Sequence, residues 1–387
     1  MNRISGFATQ EGTKAYAERH RPVSFNMLGT THLTVSAAGF GGYRVDVSVK
    51  DHAEALEKAL TAGVNVIDTS ANYADGGSER MVGGVLGELT ASGAIARNEV
   101  VVVSKAGYLQ GVNFQLSQER KARHAPFSDL VVLGQDLEHC IHPEFLEDQL
   151  GRSLDRLRLE TLDCFLLHNP EYYLTWAGKN GVSLEEARLE YYRRIRAAFV
   201  HLEAEAAAGR IRSYGISSNT FPASPADYNA TSLAAVWEIA CSISVRHHFR
   251  VIEFPLNLLE TGAILRPQGN GTLLEMAVAC NLGVMVNRPL NGIVRDRVVR
   301  LAENHYSGDG LQQARHFRDK VAAIDPDWTA AQSLSQLAFR ALRSTAGVST
   351  VLIGMRHEKY VADVLDELWR PCNISGRQSS WAKIEAL

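Results

Sequence analysis

Three ionisable side chains stand where short apolar runs of this sequence end, and a tyrosine follows the first of them. Asp68 ends the run "VNVID", Lys105 ends "VVVVSK" and His168 ends "DCFLLH", while Tyr73 comes five residues after Asp68. A lone charge beside apolar sequence is costly to bury. Taken singly, each residue fits an ordinary role such as helix capping, loop packing or a buried hydrogen bond. Taken together, the four residues favour one shared site.

The chemistry of these four side chains suits proton transfer to a carbonyl oxygen. A tyrosine is a poor acid near neutral pH, but a nearby ammonium favours the phenolate and makes the phenol a better donor. A carboxylate beside the lysine holds that ammonium in place, and a neutral histidine can hydrogen-bond the phenol or the substrate oxygen. Protonation of the oxygen accompanies hydride arrival at the carbon. None of the four carries hydride, so a nicotinamide cofactor is implied.

The elements that position these residues alternate along the chain. Helical patterns occupy 50–63, 143–157, 184–209 and 329–345, and eight candidate strands occupy 33–41, 64–69, 99–107, 161–168, 211–218, 249–256, 283–290 and 349–356. Near-continuously apolar strands separated by helices predict a parallel sheet covered on both faces. Eight such units predict an α/β fold of the closed (β/α)8 TIM-barrel type, whose active site forms at the carboxyl ends of the strands.

An open, doubly wound sheet is the alternative to the barrel. Such a sheet usually carries a GxGxxG turn after an early strand, whereas "GFGGYR" (39–44) has Arg44 in place of the third glycine. We therefore favour the barrel. We interpret 1–387 as a single barrel domain with an N-terminal extension (1–27), a C-terminal tail (366–387) and long βα loops at 106–142 and 291–327. Residues 23–34 are interpreted as a hairpin that closes the bottom of the barrel.

Composition narrows the partners and the compartment. Forty Lys and Arg against 43 Asp and Glu give a net charge of -3, which provides no long-range field for nucleic acid or an anionic membrane. Five scattered cysteines without a CxxC pair, and the absence of a signal-peptide pattern or a bilayer-length apolar run, predict a cytoplasmic location. The sequence indicates no oligomeric state.

No metal site is predicted from the sequence. His139, Cys140 and His142 could act as ligands, but they lack a second matching pair and stand just before a predicted helix. Solvent contact or helix capping is the favoured interpretation of these residues. A metal-dependent barrel hydrolase is therefore the weakest functional hypothesis.

The order and spacing of Asp68, Tyr73, Lys105 and His168 resemble the tetrad of the aldo-keto reductases. The flanking segments "NVIDTSANY", "VVVSK", "LDCFLLHNPE", "RIRSYGISSN" and "VLIGMR" also resemble that family, and the similarity covers residues 28–365. The resemblance implies a (β/α)8 barrel, a nicotinamide dinucleotide bound across the strand ends, and hydride transfer to an aldehyde or ketone or from the matching alcohol. It makes Tyr73 the general acid or base, tuned by Asp68 and Lys105, with His168 orienting the carbonyl.

The same resemblance supplies cofactor positions, with NADP(H) favoured over NAD(H). These positions are Gly42, Asp68, Ser217, Ser218, Arg288, Pro289, Leu290, Gly354, Arg356 and Asp363. Several residues depart from the family pattern. The usual glutamine of the sixth strand falls on Val251, the aromatic residue that often stacks on nicotinamide falls on Asn287, and Tyr360 and Val364 replace the usual Gln and Asn.

Polar and aromatic residues in the loops suggest the substrate. Tyr43, Tyr108 and Asn169 are predicted to line the substrate entrance, where they would suit a sugar or a polar aromatic carbonyl. Packing of the aromatic residues under a long loop is an equally weighted alternative. The departures at Val251 and Asn287 motivate a second functional hypothesis, a cofactor-sensing regulatory or binding subunit with vestigial catalysis.

Overall fold

The computed structural model describes residues 3–295 and 297–387, and a closed barrel of eight parallel strands forms its centre. The strands are β1 Phe25–Met27, β2 Thr34–Ser36, β3 Ala38–Gly41, β4 Val66–Asp68, β5 Val101–Ala106, β6 Tyr108–Leu109, β7 Val131–Gly134, β8 Leu137–His139, β9 Cys164–His168, β10 Tyr214–Ser217, β11 Phe249–Pro255, β12 Gly283–Asn287, β13 Asn291–Val294, β14 Arg297–Arg300 and β15 Thr350–Ile353.

The helices of the described residues mostly follow the barrel strands. They are α1 Gln10–Arg19, α2 Lys50–Thr61, α3 Gly77–Ala91, α4 Gly111–Ala122, α5 Pro143–Leu157, α6 Tyr172–Lys179, α7 Leu184–Ala207, α8 Leu233–Ile243, α9 Gly262–Leu265, α10 Leu273–Ala279, α11 Gly308–Ala322, α12 Leu334–Arg343, α13 Glu358–Leu368 and α14 Gln378–Glu385. Short 3-10 segments lie at Gly29–Thr31, Tyr73–Gly76, Arg97–Glu99, Glu303–His305 and Pro326–Trp328. No helix among them is long and apolar enough to cross a membrane.

The barrel strands pair in the order β3, β4, β5, β9, β10, β11, β12 and β15, and β15 returns to β3. Every neighbouring pair is parallel. The (β/α)8 prediction is confirmed, and all eight predicted strand segments contain a barrel strand. The first segment, 33–41, is divided between β2 and β3 because the chain leaves the hairpin and enters the barrel within it.

The predicted hairpin exists and lies at the amino ends of the barrel strands. Strands β1 and β2 are antiparallel, with Phe25 opposite Ser36. Leu28, Leu33 and Val35 are buried in the same cluster as inward-facing residues of the barrel. The hairpin therefore closes the bottom of the barrel with apolar side chains and leaves the carboxyl ends of the strands, here called the rim, as the open end.

The two long loops fold into local structure. Within 106–142, β6, β8 and β7 form a three-stranded antiparallel sheet, and α4 lies between β6 and β7 along the chain. Within 291–327, β13 and β14 form an antiparallel pair followed by α11. Both loops leave barrel strands at the rim, so they surround the open end.

Candidate active site

The alternation of side chains along the barrel strands explains why charges meet in the barrel. Successive residues of a strand point to opposite sides, so positions two apart share a side. Val66, Val103, Leu166 and Val251 belong to the apolar cluster inside the barrel. Asp68, Lys105, His168 and Glu253 follow them by two residues on the same four strands, and they form the next layer towards the rim.

Lys105 is the centre of this charged layer. Its side chain is fully buried, and Nζ lies 2.6 Å from Asp68 Oδ1 and 3.2 Å from Glu253 Oε2. The same ammonium donates to the Tyr73 hydroxyl at 3.3 Å. The structure thus brings Asp68, Lys105 and Tyr73 into direct contact, as the sequence predicts.

Tyr73 is held by a tight loop after β4. Ala74 and Asp75 adopt positive φ angles of 48° and 52°, and the Asp75 carboxylate accepts the Val112 amide at 3.1 Å. These features anchor the loop to the insertion after β5. The Tyr73 ring centroid lies 5.9 Å from His168 and 5.4 Å from Tyr43, both edge to face.

His168 completes the group of four at the end of β9. Its Nδ1 lies 3.0 Å from the Ser70 hydroxyl, and its ring packs 4.7 Å from Tyr108. Its backbone carbonyl accepts a hydrogen bond from His139 Nε2 at 2.7 Å. His139 is itself buried, so the insertion strand β8 fixes the end of β9 from outside the barrel.

Burial is the largest single influence on the pKa of all four side chains, although the neighbouring charges together outweigh it at Lys105. It raises the pKa of Asp68 to about 7 against the opposing effect of Lys105. It also raises the pKa of Tyr73, and the favourable charge of Lys105 does not cancel that effect because Asp68 and Glu253 add to it. Although burial lowers it, the two carboxylates hold the pKa of Lys105 well above its usual value. Burial, Lys105 and His139 together lower the pKa of His168, which leaves the imidazole neutral.

The surroundings of Tyr73 hold more charge than the sequence analysis considers. The expectation that Lys105 favours the phenolate holds for that ammonium taken alone. In the structure the phenol faces one ammonium and two carboxylates, and burial opposes its ionisation further. Tyr73 consequently keeps its proton near neutral pH.

Glu253 is a residue that the sequence reasoning missed. The resemblance places the polar position of the sixth strand at Val251, but Val251 is fully buried in the apolar cluster below the charged layer. Glu253 is the residue of β11 that reaches that layer, where its Oε1 accepts from Asn287 Nδ2 at 2.7 Å. The signal was available, because Glu253 interrupts the apolar run "VIEF" as Asp68 and Lys105 interrupt theirs.

The predicted substrate residues lie beside Tyr73 and His168 at the rim. Tyr43 is 63% exposed and packs against Tyr73, while the Arg44 guanidinium lies 5.4 Å from the Tyr43 ring centroid. Tyr108 accepts from Asn169 Nδ2 at 2.8 Å and contacts the His168 ring. Tyr43 is thus open to solvent, whereas Tyr108 packs among the rings of His139, His168 and Tyr172, as the packing alternative expects.

The predicted cofactor residues Ser217, Ser218 and Gly42 have different surroundings. Ser217 ends β10 opposite Glu253 and is close to the charged layer. Ser218 turns away, because its hydroxyl accepts the Thr220 amide at 3.1 Å and contacts Thr231. Gly42 donates its amide to the Asp68 carbonyl at 2.7 Å, so its place there is explained by strand packing.

The turn after β12 offers unsatisfied polar atoms to a bound dinucleotide. Asn287 Oδ1 and Arg288 Nε are buried without a hydrogen-bond partner among the described residues. Arg288 also pairs with Glu260 at 2.7 Å, and its positive φ of 54° turns the chain towards Pro289 and Leu290. An amide oxygen and a guanidinium at one turn fit the carboxamide and phosphate groups of a nicotinamide dinucleotide.

The second loop helps to form a cavity where the adenosine end is predicted. The cavity has a volume of about 510 Å³, and its lining includes Lys359, Tyr360 and Asp363 of α13 together with Glu303 and Arg315. The Asp363 carboxylate is already engaged, since it accepts from Gln336 at 3.0 Å and from Ser335 at 3.2 Å.

The predicted cofactor residues Gly354 and Arg356 are accessible. A Cβ atom added to Gly354 would meet nothing within 4 Å, and Arg356 is partly exposed. Both follow β15 at the rim, so they can approach a ligand that extends from the charged layer to the cavity. The residues present therefore fit a nicotinamide dinucleotide.

His139 and His142, which the sequence analysis does not favour as metal ligands, have structural roles. His142 caps α5 by accepting the Glu144 amide at 3.3 Å, as the sequence suggests. His139 is buried against His168, which corrects the expectation of solvent contact. In the described part of the chain, no group of three or more His, Cys, Asp or Glu side chains could hold a metal ion.

Comparison with known proteins assigns the family. The model of the "Aldo/keto reductase family" matches residues 33–375, and the chain belongs to this family. Members of the family use nicotinamide cofactors in carbonyl reduction and alcohol oxidation.

Two curated relatives match only part of this chain. The chain is 29% identical over 169 residues to the L-galactose dehydrogenase of Arabidopsis thaliana, which covers 42% of this chain and 50% of the relative. It is 29% identical over 149 residues to the NADH-specific methylglyoxal reductase of Escherichia coli, which covers 36% and 40% respectively. The chain thus spans at most half the length of these curated relatives.

A solved structure extends the similarity in fold. The holo form of an aldo-keto reductase from Bacillus halodurans superposes with a TM-score of 0.60 at 17% identity. The match covers 94% of this chain and 96% of that one. At this identity the likeness supports the fold of the barrel and its surrounding elements.

Proposed function

We propose that the protein is an NAD(P)-dependent oxidoreductase that transfers hydride between nicotinamide and an aldehyde or ketone, or the matching alcohol. The observation that carries the proposal is the contact of the Tyr73 hydroxyl with Lys105 Nζ at 3.3 Å, beside a neutral His168. Nicotinamide supplies or accepts the hydride when it is bound. The side chains of this protein then handle the substrate oxygen and its proton.

Each of the four residues has a distinct task in this proposal. Tyr73 donates its proton to the carbonyl oxygen in reduction and removes a proton from the alcohol in oxidation. Lys105, fixed by Asp68, stabilises negative charge that develops on the phenol oxygen during transfer. His168, neutral and held by Ser70, orients the substrate oxygen towards Tyr73.

We further propose a sugar or other hydroxylated carbonyl as the substrate and NADP(H) as the preferred cofactor. The exposed Tyr43, the Tyr108–Asn169 hydrogen bond and Arg44 present aromatic faces and donors that suit hydroxyl groups. The similarity to L-galactose dehydrogenase supports the same substrate class. Lys359 and Arg315 at the adenosine cavity would attract a 2′-phosphate, although Glu303 opposes them there.

The substitution Tyr73→Phe tests the catalytic assignment. It should lower kcat by about 10²–10⁴-fold, the usual contribution of a general acid, because only the hydroxyl is lost. Fluorescence titration with NADPH and NADH should give dissociation constants close to those of the unmodified protein. Unchanged turnover of the variant contradicts the role of Tyr73, whereas tight cofactor binding by the unmodified protein without turnover on any carbonyl supports the regulatory-subunit alternative.

A further inference from the structure

Glu253 gives the charged layer a second carboxylate. Lys105 is shared between Asp68 at 2.6 Å and Glu253 at 3.2 Å, and all three side chains are at most 5% exposed. Glu253 is anchored on its other side by Asn287 Nδ2 at 2.7 Å. One ammonium therefore faces two carboxyl groups, so the layer holds one acidic group more than a simple ion pair.

We infer that Glu253 is a positioning residue that acts through Lys105 to keep the Tyr73 phenol protonated, which favours the use of Tyr73 as a general acid in carbonyl reduction. This inference rests on the proposed function for its catalytic meaning. Its structural basis is independent of that function, because it concerns only the placement of charges around Lys105.

Among the described residues around Lys105, Glu253 is the charged group beyond the Asp68–Lys105 ion pair. The groups that face the ammonium are Asp68 from β4, Tyr73 from the following loop and Glu253 from β11. His168 from β9 is neutral and Asn287 from β12 carries no charge. A negative charge close to a titrating phenol disfavours the phenolate. Removing the Glu253 charge should therefore ease ionisation of Tyr73.

The variant Glu253→Gln makes this change with little loss of shape. The glutamine keeps a carbonyl oxygen that can accept from Asn287, but it removes the negative charge beside Lys105. Glu79→Gln is the matched control. Glu79 is also fully buried and is ionically paired with Arg156 of α5 at 2.5 Å. It also accepts from Ser104 of β5, whose side chain points to the opposite side of the strand from Lys105, so Glu79 lies outside the charged layer. Circular dichroism and thermal unfolding verify that both variants are folded.

The first measurement is an NMR titration of protein labelled with ¹³Cζ-tyrosine, which needs neither cofactor nor substrate. The twelve tyrosines give a small set of resonances, and the one missing in Tyr73→Phe belongs to Tyr73. In Glu253→Gln the ionisation of Tyr73 should begin about one pH unit or more below that of the unmodified protein. Identical Tyr73 resonances in both proteins throughout the titration overturn the inference, as does an equal shift in Glu79→Gln.

The second measurement is the pH dependence of kcat/KM for carbonyl reduction. The decline of activity at high pH should move to lower pH in Glu253→Gln, and it should stay in place in Glu79→Gln. Superimposable profiles for Glu253→Gln and the unmodified enzyme count against the inference. A protein without reductase activity refutes the proposed function instead, and the NMR titration then still decides the effect of Glu253 on Tyr73.

Discussion

Replacing Lys105 by methionine should destabilise the barrel through the two carboxylates it leaves behind. Lys105 is fully buried between Asp68 and Glu253. Removing one partner of a buried ionic group typically costs about 3–5 kcal/mol, because the remaining charge is uncompensated. For a chain of 387 residues this corresponds to a decrease in Tm of about 4–6 °C. Catalysis should also fail, since the phenol of Tyr73 loses its only cationic neighbour in the layer.

The destabilisation should depend on pH in a defined direction. Burial already raises the pKa of Asp68 to about 7, and loss of Lys105, which lowers that pKa, raises it further. A carboxyl whose pKa is raised in the folded state contributes stability at low pH, and that contribution disappears as the pH rises through the folded-state pKa. The deficit of the variant relative to the unmodified protein should therefore grow as the pH rises above about 7, by up to about 1.4 kcal/mol per pH unit for each proton concerned.

The assay is urea unfolding of Lys105→Met and the unmodified protein at about pH 5.5 and about pH 9, where the linkage predicts different deficits. The triple variant Lys105→Met, Asp68→Asn, Glu253→Gln should recover much of the loss, because it removes every charge of the cluster. Lys58→Met is the control, since its pairing with Glu358 is exposed and such pairs contribute about 0–1 kcal/mol. An equal deficit at both pH values, or no recovery in the triple variant, refutes this reasoning.

Two further substitutions test the elements that hold the site. Gly215→Ala should severely reduce the yield of folded protein, because an added Cβ would lie 1.9 Å from the Val251 carbonyl oxygen on the neighbouring strand. Normal yield and an unchanged unfolding midpoint contradict this packing. Leu28→Ala should lower the free energy of unfolding by about 2–5 kcal/mol, because it leaves a cavity in the bottom hairpin. Cofactor dissociation constants should remain unchanged, because the hairpin lies opposite the rim. A large change in cofactor affinity would show that the two ends of the barrel are coupled.

The barrel could be predicted because its signal is local and repeated. Each barrel strand is a short apolar run, and the helical patterns between most of the runs require parallel pairing. The positions of Asp68, Lys105 and His168 could be predicted from the same runs, because a charged residue at the carboxyl end of a buried barrel strand lies at the rim.

The remaining features depend on contacts between distant segments. Burial of His139 follows from its position under the carbonyl of His168, and the sequence around His139 carries no mark of that contact. The sheet of β6, β8 and β7 likewise joins short segments without a strong alternating pattern. Glu253, by contrast, could have been predicted from the sequence. It follows Val251 by two residues, so the two side chains point to the same side of β11. The resemblance instead places the polar position of this strand at Val251.

The sheet of β6 and β8 connects the proposed substrate residue Tyr108 to the proposed catalytic residue His168. Tyr108 packs against the His168 ring, and its neighbour in the sheet, His139, holds the strand end that bears His168. Under the proposed function, a change that reshapes this sheet for a new substrate therefore also moves His168. Tyr43 and Arg44 lie on a separate loop after β3, but the Tyr43 ring packs against Tyr73, so a change of Tyr43 is expected to disturb the proposed general acid as well.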